Sequence, residues 1–114
     1  VPVKTIAAEA RFSPEKMAKT PLFGSERFAC DVYGLLPGQS QKPHVHEASE
    51  KVYIVLEGSV RVRIGAGEHA APEGTAAHVP AGAEHALVNA GPGRATVLVF
   101  MAPPPGPAPE RGGS

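Results

Sequence analysis

Apolar positions in this chain come in short runs cut by glycine and proline, and from residue 27 they follow one another as strands do. Phe28 to Leu36 reads as a strand closed by the turn Pro37-Gly38. Lys51 to Glu57 is β-branched and aromatic and stops at Gly58. Val60-Arg61-Val62-Arg63-Ile64 alternates apolar and basic residues, as a strand does when one face lies in a core and the other in water. Gly65-Ala66-Gly67 turns the chain back into a hairpin, and Gly74 starts a segment leading to the turn Pro80-Ala81-Gly82. Ala86 to Ala90 is a short strand. Arg94 to Met101 is the last and most apolar one, expected to be covered on both faces. Frequent turns between short apolar runs predict an all-β sandwich or barrel.

The two ends differ from this middle. Residues 1–26 read as an N-terminal arm, with an edge strand around Val3 to Ile6 and a short helical turn over Ser13 to Lys19. Ser13 suits the N-cap of that turn and Pro14 its first position, and Pro21 ends it. Residues 27–102 form the barrel. Residues 103–114, rich in proline and glycine, cannot pack a core and are expected to be extended or disordered.

Composition narrows the function. Eleven basic and eleven acidic residues cancel, and no basic stripe appears, so no nucleic-acid partner is expected. The longest apolar runs are too short to span a bilayer, and no secretion signal is visible. Together with a single cysteine, Cys30, this suits a reducing, cytoplasmic setting. Cys30 lies in an apolar run and reads as a buried, inert thiol.

Histidines carry the candidate chemistry. His44 and His46 form a His-x-His pair, and on a strand such residues project from one face about 6.6 Å apart. Two imidazoles so placed can close on one ion, although two surface histidines would look the same. His85 begins a later strand, so a third imidazole could join them inside a closed barrel.

The spacing around these histidines resembles the two motifs of the cupin superfamily. The first runs Gly38, five residues, His44-Val45-His46, three residues, Glu50, then Gly58 after a strand. The second runs Gly74, five residues, Pro80-Ala81-Gly82, two residues, His85, three residues, Asn89, and is met at every position. Fifteen residues separate Gly58 from Gly74. The resemblance implies a double-stranded β-helix, a jelly-roll-like barrel, holding one divalent metal ion (iron, manganese, nickel, zinc or copper). Its ligands, carried over, are His44, His46, Glu50 and His85. It also implies a small-molecule ligand and a homodimer in which the N-terminal strand packs on the partner, with Leu22-Phe23 and Ile6 at the interface.

One position departs from the pattern. The family leaves six residues between the glutamate and the next glycine, and that count lands on Lys51, one place after Glu50. Either a bulge near Ser49 turns Glu50 inward, or Lys51 faces the pocket and the carboxylate ligand is missing. An ammonium there would be repelled by a divalent ion, or would hold an anionic substrate. His78 reads as structural or as a second group near the pocket, and His69 as solvated. Tyr33, Tyr53 and Phe100 could line the cavity but read as core, and Asn89 reads as structural or as a support behind the site. Two functions follow: a metal-dependent enzyme of the dioxygenase or isomerase/lyase kind, or a barrel that binds a sugar or metabolite without turnover. A sensory half of a regulator is disfavoured, because no DNA-binding segment accompanies the barrel.

Overall fold

The structure, a computed structural model, describes residues 2–105. The expectation of an extended or disordered tail therefore falls mostly outside the described residues. One short helix, α1 (Ile6–Glu9), precedes nine strands: β1 (Ala18–Gly24), β2 (Ala29–Leu35), β3 (Ser40–His44), β4 (Glu50–Glu57), β5 (Ser59–Ile64), β6 (Gly67–Pro72), β7 (Ala76–Val79), β8 (His85–Val88) and β9 (Ala95–Ala102). They form a five-stranded sheet in the order β1-β2-β9-β4-β7 and a four-stranded sheet in the order β3-β8-β5-β6. Every pairing is antiparallel.

Alternation along each strand decides what lies between the sheets. Tyr33 and Leu35 of β2, Tyr53 and Val55 of β4, and Val97 and Val99 of β9 point inward from one sheet. Val60 and Val62 of β5 and Leu87 of β8 meet them from the other. The basic residues of β5 stay outside, as the alternation predicts, and Arg61 pairs with Glu68 at the surface. The all-β expectation and the double-stranded β-helix layout hold.

Several local expectations give way to the structure. No helix forms over Ser13 to Lys19; the Ser13 hydroxyl accepts the Glu15 N–H at 3.3 Å, the chain bends, and β1 begins at Ala18. A serine favourable at a helix cap is equally favourable in such a turn. Pro21 lies within β1 instead of ending a helix. It is tolerated because β1 is an edge strand whose register shifts between Pro21 and Phe23. The arm's edge strand is thus β1, while Val3 to Ile6 forms no strand and α1 starts at Ile6. Finally, β9 is not covered on both faces: Phe100 points outward, 41% exposed, and stacks on Phe28 at 5.5 Å. Of the residues expected at the dimer interface, Leu22 is buried within its own chain and Phe23 is exposed.

Candidate metal centre

His44 is the last residue of β3 and His85 the first of β8, and the two are direct cross-strand partners. Their ring centroids lie 4.1 Å apart. His46 stands beyond the end of β3, so the reading of both histidines on one strand holds only for His44. The His46 carbonyl accepts the Gly82 N–H at 2.9 Å, which ties this segment to the turn before β8. Its ring lies 4.9 Å from that of His44 and 5.8 Å from that of His85. One ring nitrogen from each of the three residues falls within a set spanning no more than 4.8 Å.

Backbone carbonyls fix which nitrogen faces inward. His44 Nδ1 lies 2.8 Å from the Lys42 carbonyl, and His85 Nδ1 lies 3.0 Å from the Ala83 carbonyl. A carbonyl can only accept, so both Nδ1 atoms carry the proton and both Nε2 atoms present a lone pair. Metal-binding imidazoles are commonly oriented in this way. The Nε2 atoms of His46 and His85 are buried and have no hydrogen-bond partner among the described residues. A buried polar atom left unpaired costs about 1–3 kcal/mol, so two side by side favour an occupant that takes up their lone pairs. Three convergent imidazole nitrogens fit a divalent transition-metal ion.

The rings are also in the right charge state. Burial, reinforced by the Lys51 charge and the neighbouring imidazoles, lowers His85 to about 4. Burial, then Lys51, His44 and Lys19, does the same for His46. His44 is lowered chiefly by burial. Neutral imidazole is the form that ligates.

Glu50 does not join them. Tyr53 and Val55 fix the inward parity of β4; counting back by twos puts Lys51 inward and Glu50 outward. No bulge at Ser49 reverses this. The register shift of β4 against β9 falls later, between Val55 and Glu57. Glu50 is exposed, and its Oε1 accepts from His78 Nε2 at 2.7 Å on the outer face of the sheet. Of the four ligands carried over from the family, three histidines meet and the carboxylate is displaced. His78 is accordingly remote from the centre. His69 is exposed. Asn89, fully buried, is structural: it donates to the Leu35 and Gly93 carbonyls, both at 2.9 Å, and accepts the Gly91 N–H at 3.0 Å.

Lys51 occupies the position the carboxylate leaves. It is 1% exposed, and its Nζ donates to His44 Nε2 at 3.1 Å. Burial and the Lys19 charge lower it to about 7, against a smaller opposing effect of Asp31. Below it runs a chain of polar groups: the Tyr53 hydroxyl donates to Gln41 Oε1 at 2.6 Å, and Gln41 Nε2 donates to the Tyr33 hydroxyl at 3.2 Å. Two members of this region are not recognisable from sequence pattern. Lys19 reads as part of a helical turn, and its pairing opposite Tyr33 in β1 is what turns it toward the interior. Gln41 sits in β3, whose sequence Ser-Gln-Lys-Pro-His carries no apolar alternation to reveal a strand.

Comparison with known proteins agrees with this geometry. A family model described as "Cupin domain" matches residues 32–101. The crystal structure of TT1209 from Thermus thermophilus is 51% identical, covers 90% of this chain and 98% of its own, and superposes with a TM-score of 0.88. An uncharacterized conserved protein with a double-stranded beta-helix domain from Klebsiella pneumoniae is 21% identical, with a TM-score of 0.84 over 90% of each chain, a likeness of fold. The tetracenomycin polyketide synthase protein TcmJ of Streptomyces glaucescens is 37% identical over 78 residues, 68% of this chain. The chain spans about half the length of that relative, 52%.

Proposed function

This chain belongs to the cupin family, and from that premise we propose that it holds one divalent metal ion on His44, His46 and His85 and acts on a small molecule as an enzyme of the dioxygenase or isomerase/lyase kind. The observation that carries this reading is the convergence of three neutral imidazoles, two with Nδ1 anchored to backbone and two with an unpaired buried Nε2. A bound ion would supply Lewis-acid polarisation or redox chemistry at that point. The protein's own part is to orient the rings through the Lys42 and Ala83 carbonyls and to exclude bulk water from His85. With three protein ligands the coordination sphere stays open to a substrate, which suits catalysis better than a sealed structural site. The relative named as a polyketide synthase protein brings keto and enol compounds into the range of candidate substrates.

A second reading has its own support. Lys51 lies against the Nε2 of His44, and a cation at that place weakens metal binding. A barrel that binds a metabolite without turnover is consistent with such a site. Elemental analysis of unsupplemented protein, together with oxygen uptake over catechols, diketones and thiols, separates the two. About one metal ion per chain with oxygen consumption or isomerised product is expected. Metal-free protein that still binds ligand and converts nothing would sink the enzyme reading.

A further inference from the structure

The interior next to the histidine cluster holds a buried amine. Lys51 is almost fully enclosed, with its Nζ at 3.1 Å from a ring nitrogen that the reading above assigns to the metal. Lys19, half-buried on β1 and facing the same interior, is close enough to disfavour the charged forms of His44, His46 and Lys51. Among the described residues, Asp31 is the acid whose charge reaches the two amines, and it is set beside Lys19. Glu50 is on the outer face with His78. The three imidazoles are neutral ligands and bring no charge, so none of a divalent ion's charge would be offset by them.

We propose that the ligand of this site is a small anion, a carboxylate or an enolate, with one oxygen held by the Nζ of Lys51. The argument is one of complementarity. A buried charge is tolerated when it is paired, and a buried amine beside neutral rings pairs best with a negatively charged oxygen. The Lys51 amine donates N–H in either protonation state, so recognition of the oxygen does not depend on which one is present. A neutral ligand of the same shape would leave the amine facing a weaker acceptor. This inference rests on the proposed small-molecule site, and it adds the class of compound.

Benzoate and its neutral isostere benzamide test it. Their binding to wild type, metal-free and zinc-loaded, would be followed by ligand-observed NMR relaxation and by calorimetry. The same would be done for Lys51→Gln, Lys51→Met and Lys19→Gln, each checked for folding by circular dichroism. Zinc affinity of wild type is measured separately. Benzoate is expected to bind wild type about tenfold tighter than benzamide or better. That preference should largely vanish in Lys51→Gln and Lys51→Met and shrink in Lys19→Gln. Equal binding of the two probes by wild type overturns the inference even if no variant folds, and so does a preference that survives loss of Lys51. If zinc fails to bind while benzoate still wins, the metal reading falls and this inference stands. If zinc binds one per chain and the probes are not told apart, the reverse holds.

Discussion

Packing holds His85 more firmly than either of its partners: it is 1% exposed, opposite His44 across β3 and β8, and tied at Nδ1 to Ala83. His85→Ala should therefore weaken zinc binding by about 100-fold or more, seen in calorimetry, since a two-imidazole remnant is a poor site. Glu50→Gln should leave zinc affinity within about twofold of wild type, because its carboxylate faces solvent beside His78; a large loss would mean the carboxylate reaches the ion after all. Lys51 has a signature of its own in stability. Its amine titrates near 7 in the fold and near 10.5 when exposed, so between those values the unfolded chain binds the additional proton. Wild-type stability then rises with pH across that window and is lower at pH 6. Lys51→Met removes this dependence. In metal-free protein the variant should melt higher than wild type at pH 6, by on the order of 3 kcal/mol, with the gap narrowing toward pH 10. A constant gap would argue against a buried amine.

At the level of elements, turns and registers set where these side chains end up. Gly58, between β4 and β5, has φ +77°, and a Cβ there would come within 2.4 Å of the Arg94 carbonyl. Gly58→Ala should lower the melting temperature by about 10 °C or more, through both backbone strain and displacement of the start of β9. A melting temperature within a degree of wild type would contradict that packing. The same turn glycines made most of the barrel legible in advance, since β2, β4, β5, β8 and β9 combine apolar alternation with a stop signal. Strands β1 and β3 lacked the signal. β1 has a proline inside it and follows a serine that imitates a helix cap, and β3 buries only a glutamine. The histidine trio could be read from spacing because all three sit at strand ends or turns. The carboxylate could not, because facing depends on parity, and a single-residue offset between Glu50 and Lys51 reverses it.

For the whole molecule, the outer face of the five-stranded sheet matters most. Phe23, Cys30, Phe100, Val52 and His78 form one cross-strand row over that face, following the registers of β1, β2, β9, β4 and β7. Phe23 and Phe100 are 37% and 41% exposed, and for the homodimer expected from the sequence we propose them as the contact. Light scattering at micromolar concentration should give twice the chain mass for wild type and a single chain for Phe100→Ser; a monomeric wild type removes the dimer. The barrel's interior carries a different consequence. Two of its three candidate ligand rings are clamped by the main chain of Lys42 and Ala83. On the proposed metal reading, the rings are oriented by the fold itself, and a chelator is expected to strip the ion without unfolding the shell.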